Sequence, residues 1–145
     1  MHTMSRDEWL KFALHSTRTG KLAFTSASGQ PLVTPIWFLI DTSGEADQLV
    51  FTTHNSSVKS KALMREPRFA LCIDDQQPPY SYVQFQATAT LSEDLGEMLP
   101  WATRLGARYM GADAAEEFGR RNAVPGEYLV RGTITKVIAY AGISD

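Results

Sequence analysis

The stretch "GKLAFTSASGQPLVTPIWFLID", Gly20 to Asp41, decides how this chain folds. Leu22 and Phe24, then Leu32, Thr34, Ile36, Phe38 and Ile40, fall at alternate positions. That is the period of a strand with one buried face. Ser28-Gly29 interrupts the run, where glycine tolerates the positive φ of a reversal. The stretch therefore predicts two antiparallel strands joined by a tight turn. Pro35 cannot donate to a ladder. It marks an edge, a bulge, or a place where something other than a neighbouring strand lies alongside.

The remaining segments extend this pattern. "TSGEAD" is a turn and "QLVFTTH" a third strand; "RFALCIDD" and "YSYVQFQATATLS", joined by "QQPP", are two more. "GEYLVRGTITKVIAYAG" is the last and longest strand. Ser5 and Glu8 have capping-box spacing, and Trp9, Phe12 and Ala13 follow at helical spacing, so a helix is predicted to about Ser16. "SSVKSKALMR" reads as a short helix stopped before Pro67. Between Glu93 and Asn122 the period changes. Met98, Trp101, Ala102, Leu105 and Tyr109 share one helix face, "ADAAEEFGRR" forms a second helix, and Gly111 separates them. Pro100 is expected to kink or restart the first of these.

Consecutive strands joined by short turns pair antiparallel. So few, such long strands would expose two edges unless they close into a barrel. The predicted class is mainly β (α+β), a small antiparallel barrel with helices against its outside, in a single domain over residues 1–145.

Composition narrows the function. With 145 residues, 43% of them hydrophobic, the chain can bury a sizeable core. A formal net charge of -2 argues against a general nucleic-acid binder. No apolar run approaches the roughly 20 residues that span a bilayer, so no membrane segment is expected. The polar start "MHTMSRDEW" is unlike a secretory signal, which makes the cytoplasm the expected location. The lone Cys72 excludes an internal disulfide, and its place in "FALCI" predicts a buried, inert thiol. His2, His15 and His54 are scattered without ligand spacing, so no metal site is predicted. No nucleophile elbow or acid–base constellation is present, and no catalytic residue is assigned. If the protein is an enzyme, a bound cofactor carries the difficult chemistry.

Three stretches are candidate sites. A helix beginning near Ser56 presents unpaired N–H groups and a positive dipole end. Ser56 or Ser57 adds a hydroxyl and Lys59 a charge, which together suit a phosphate monoester. The plainer reading of this stretch alone is that Ser56 is an ordinary cap and the lysines are solvated, since capping serines are common. In "VTPIWF", proline beside tryptophan makes either a flat wall for a planar ring or core packing. In "PPYSYV", Tyr80 and Tyr82 lie two apart, hence on the same side of a strand, and suit a subunit interface, a ligand lid or barrel packing.

Together, "RTGKLAFTSASGQPLVTPIWFLID", "LVFTTHNSSVKSKALMREPRFALCIDD", "PPYSYV" and "WATRLGARYMGADAAEEFGRRNAVPGEYLVR" closely resemble the split-barrel proteins related to pyridoxamine 5′-phosphate oxidase. Within these, the chain looks most like the actinobacterial branch of deazaflavin (coenzyme F420)-dependent oxidoreductases. The resemblance implies a six-stranded split barrel, of the kind that also binds FMN, forming a homodimer with the cofactor at the subunit interface. It puts the cofactor phosphate on Lys59, with Ser57, Val58 and Ser60 in the same loop. Thr34, Pro35, Ile36 and Trp37 would flank the ring, with Thr52 and Thr53 alongside. Tyr80 and Tyr82 would approach from the other subunit. The chain departs from the family pattern at "SGQP" in the first hairpin, where "DGRP" is common, at Gln86-Ala87, where "EG" is common, and at Pro100.

The activity implied is an F420H2-dependent reductase acting on a planar unsaturated or quinone-like small molecule, tetrapyrroles such as biliverdin included. An FMN-binding oxidase or flavin reductase of the same fold fits Lys59 equally, since FMN also carries a phosphate. A non-catalytic carrier of F420 or flavin is a third possibility. The longer anionic tail of F420 would want further cations, for which Lys61, Arg18, Arg120 and Arg121 are available.

Overall fold

A computed structural model describes residues 1–145. The six strands expected from the sequence are all present, one of them divided in two, with one short strand added. They are β1 (His2–Thr3), β2 (Gly20–Thr25), β3 (Pro31–Ile36), β4 (Leu39–Asp41), β5 (Gln48–His54), β6 (Arg68–Asp74), β7 (Tyr82–Ser92) and β8 (Glu127–Ala141). The helices are α1 (Arg6–Ala13), α2 (Val58–Arg65), α3 (Leu95–Met110) and α4 (Ala115–Asn122), with one 3-10 turn at Ala112–Ala114.

All pairings are antiparallel, in the order β3-β2-β6-β7-β8-β5-β4, with β1 on β8. The hydrogen-bonded ladder is open. Its two end strands, β3 and β4, are consecutive in the chain and joined by Trp37 and Phe38. The strand expected to run to Asp41 is therefore broken in two, half serving each end of the sheet. This is the split of a split barrel: backbone continuity spans the gap that ladder bonds do not.

Leu22, Phe24, Ile36, Phe38, Ile40, Leu49, Phe51, Leu71, Ile73, Val83 and Phe85 fill the interior at the alternate positions read from the sequence. Thr34, on the same side of β3, is only half-buried. β8 crosses between β7 and β5, with an irregularity at Gln86/Ala87. Gly132 lies under the Phe69 ring; a Cβ there would meet Phe69 Cε1 at 2.8 Å and Ala87 Cβ at 3.3 Å. Gly132→Ala is expected to destabilise by about 1–3 kcal/mol through overpacking, read as a lower denaturant midpoint at unchanged m.

Four sequence expectations change. Helix α1 stops at Ala13 rather than Ser16, because Arg108 takes the carbonyls of Ala13 and Ser16 and Ser16 turns to φ 51°. Pro100 does not restart α3, which runs unbroken from its Asp94 cap. Pro100 and Gly96 are both exposed, so the carbonyl left without its donor meets water. Cys72 is half-buried, because it lies on the outer side of β6, opposite the core-facing Leu71 and Ile73; burial still pushes its thiol pKa up. Strand β7 begins at Tyr82, and Tyr80 precedes it at φ 57° with its N–H donated to Gln77. The two tyrosines thus share no strand face.

Candidate functional site

The broken strand creates polar backbone that needs partners, and α3 supplies them. The Phe38 N–H donates to the Tyr109 hydroxyl at 3.2 Å, and the Phe38 carbonyl accepts from Arg108 at 2.6 Å. The Tyr109 hydroxyl in turn donates to the Arg18 carbonyl at 2.9 Å. The Trp37 ring stacks on Tyr109, centroids 5.0 Å apart and 5° from parallel, and leans on Phe118 at 5.9 Å. Arg108 also donates to the carbonyls of Ser16, Ala13 and Arg18. It has no carboxylate partner, and burial lowers its pKa. Sequence reasoning found Tyr109 as a helix-face residue but gave Arg108 no role, since its acceptors are carbonyls distant along the chain.

Trp37 thereby walls a cavity of about 210 Å3 together with Pro35, Ile36, Thr52, Lys59, Leu105 and Asn122. Three elements converge there. β3 brings Pro35 and Ile36 to its end, β5 brings Thr52 from the side opposite the buried Thr53, and α2 brings Lys59 in its first turn. Larger grooves occur elsewhere, including one of about 530 Å3 beside Arg68, whose charge is taken by Glu66. The smaller cavity alone holds a half-buried lysine with no carboxylate within ion-pair reach.

The start of α2 is one residue later than expected near Ser56. Ser57 is the cap, accepting from the Ser60 N–H at 3.1 Å while its Oγ bonds Thr53 at 2.8 Å. The fully buried Ser60 donates to the Asn55 and Ser57 carbonyls. Ser56 pairs with His54 at 2.6 Å. The hydroxyls of Thr53, Ser57 and Ser60 are thus engaged in building the loop. By contrast, the Val58 and Lys59 N–H groups, at the first two helical positions, have no acceptor in the chain. The Val58 side chain is exposed and points away from the core. Two free backbone donors, a dipole end and an unpaired ammonium make a seat for an anion.

Of the remaining candidates, Thr34 lies on β3 beside the cavity without lining it, and Tyr80 and Tyr82 lie elsewhere, Tyr82 packed on Tyr140 at 6.0 Å. Among the cations considered for an anionic tail, Arg18 is committed to Asp75 and the Phe12 carbonyl. Arg120 pairs with Glu116, Arg121 lies on the Phe118 ring, and Lys61 is exposed. Sequence reasoning missed Leu105 and Asn122 as cavity residues, and Glu127, which lies opposite His54 in the β5–β8 ladder. Burial pushes the Glu127 carboxyl up, against the downward pull of His54 and Lys59.

The chain resembles a conserved hypothetical protein of Mycobacterium tuberculosis at 22% identity and TM-score 0.82, over 97% of this chain and 87% of that one. An F420 reductase aligns at 22% identity and TM-score 0.66, over 88% and 94%. A FAD-binding protein of Mesorhizobium loti aligns at 19% and TM-score 0.64, over 95% and 93%. At such identities these likenesses establish the fold alone. No curated protein sequence matches the chain. No helix is long and apolar enough to cross a membrane. A family model, pyridoxamine 5′-phosphate oxidase, matches residues 6–140, which is nearly the whole barrel with its helices. The split sheet and this match agree: the chain belongs to the pyridoxamine 5′-phosphate oxidase family.

Proposed function

We propose that the protein is an F420H2-dependent reductase that delivers hydride from a bound deazaflavin to a planar unsaturated small molecule. The observation that carries this is Lys59: half-buried, unpaired, beside two free N–H donors, in a cavity walled by Trp37 and Pro35. Those residues fit a phosphate attached to a flat ring system. Lys59 and the α2 amides hold the phosphate; Pro35, Ile36 and Trp37 flank the ring. When bound, the reduced deazaflavin supplies the hydride from its C5. The chain contributes positioning and exclusion of water.

The cavity, at about 210 Å3, is smaller than the roughly 300–1,000 Å3 typical of cofactor and ligand pockets. It holds one end of such a molecule. A homodimer completes the site in this proposal, with Tyr80, 44% exposed, and Tyr82 reaching it from the second copy. Light scattering that finds only monomer at micromolar concentration removes the two-subunit site.

FMN is the second reading, favoured by the same unpaired Lys59, since either cofactor offers a phosphate. Parallel calorimetric titration with F420 and FMN separates them. Preference for F420, followed by oxidation of F420H2 when an acceptor is added, is the expected result. Preference for FMN moves the protein to flavin chemistry, and binding of neither removes the cofactor site.

Glu127 provides a check on electrostatics. Its carboxyl pKa is raised, so ionising it costs stability as pH rises through the folded value. Once ionised, it competes with a ligand phosphate for Lys59. Glu127→Gln is expected to tighten binding of FMN or F420 by about 2–5-fold at low salt, an effect that shrinks as salt is added. An unchanged affinity at low salt would separate Glu127 from the site.

A further inference from the structure

Helix α4 ends in the cavity. Asn122, its last residue, is half-buried and lines the same space as Lys59, Thr52 and Trp37. Its carboxamide bonds to nothing in the chain, and no buried polar atom is left unsatisfied, so the amide is open to whatever occupies the cavity. Its position is set by packing. At Gly106 of α3 a Cβ would stand 2.7 Å from Phe118 Cβ and 3.2 Å from the Ala115 carbonyl. At Gly119 of α4 a Cβ would collide with the Thr103 hydroxyl and stand 3.2 Å from Thr103 Cα. Two glycines, one on each helix, therefore let α3 and α4 touch backbone to backbone. Phe118 leaning on Trp37 fixes the rotation of α4. A polar group held in place by packing, with no partner of its own, is preorganised for a ligand.

We propose that Asn122 is a second donor to the anionic group that Lys59 binds, and that it makes the cavity selective for a phosphate ester over the same ring system without phosphate. This rests on the phosphate reading of Lys59 given above. Lys59 and Asn122 line the same cavity of about 210 Å3, which puts the free amide beside the seat of the group that Lys59 binds. The amide adds a hydrogen bond without adding charge. An aspartate at the same place would set a carboxylate against the phosphate.

The test uses two ligand pairs, FMN with riboflavin and F420 with its phosphate-free deazariboflavin core. Each is titrated against the wild type, Asn122→Ala, Asn122→Ser and Asn122→Asp, with circular dichroism confirming that every variant is folded. Asn122→Ala is expected to weaken the phosphate-bearing member of the bound pair by about 3–10-fold and leave the phosphate-free member unchanged. Asn122→Ser, which keeps a shorter donor, falls between. Asn122→Asp weakens the phosphate-bearing member more than tenfold, and added salt recovers part of that loss. Equal losses for both members mean that Asn122 contacts the ring, and overturn the proposal, as does no change in either. A wild type that prefers the phosphate-bearing member while the variants keep that preference overturns Asn122 alone. A wild type without any such preference overturns the Lys59 reading and Asn122 with it.

Discussion

Arg108→Ala is expected to lower the stability of the protein by about 2–4 kcal/mol, lowering Tm by roughly 5–15 °C for a domain of this size. The guanidinium serves four carbonyls, those of Ala13, Ser16, Arg18 and Phe38. Two of these end α1, one belongs to the segment leading into β2, and one lies in the break between β3 and β4. A single side chain thus ties together the N-terminal helix and the two ends of the open sheet. Removing it strands part-buried acceptors, which costs more than the net worth of the bonds. Arg108→Lys keeps the charge but offers a point donor in place of a fork, and is expected to recover less than half of the loss. Denaturant unfolding of the three proteins decides the matter. A midpoint for Arg108→Ala equal to wild type would mean that the barrel is held shut elsewhere, for instance by Arg131, which joins Asp41 of β4 to Glu97 of α3.

Lys59→Ala addresses function rather than stability. The ammonium has no partner in the chain, so its loss should leave the unfolding midpoint nearly unchanged. Affinity for a phosphate-bearing cofactor should fall by about one to two decades, equivalent to roughly 1.5–3 kcal/mol for a charge-assisted contact. The separation of the two readouts is what identifies a ligand contact: a structural lysine would move both. Calorimetry with FMN and F420 measures it, and an unchanged dissociation constant for both sinks the assignment.

Much of the fold is legible in the sequence because it is local. Alternation in "LAF" and "LVTPIWFLI" fixes which side chains face the interior, since the period of a strand is two wherever it pairs. The capping pair Ser5–Glu8 follows from neighbours three residues apart. Pro35 marked an edge, a bulge or a gap, and β3 is indeed an end strand of the sheet; Lys59 stood out because its place in the first turn of a helix is a local property. The turn that removes Tyr80 from strand β7 was less legible, because positive φ at a tyrosine has no compositional mark.

Other features belong to the tertiary structure alone. That the strand from Pro31 to Asp41 divides at Trp37, giving half to each end of the sheet, depends on where β2 and β5 lie once β6, β7 and β8 have come between them. That Arg108 replaces the missing ladder depends on four carbonyls gathered from separate segments. That Asn122 lines one cavity with Lys59 depends on two glycines facing across a helix pair. Sequence periodicity determined the strands, the helices and the face each one buries, because those follow from dihedral preference and the avoidance of water. Which distant polar groups end up sharing one small cavity is decided by packing, where contact rather than spacing along the chain sets the neighbours.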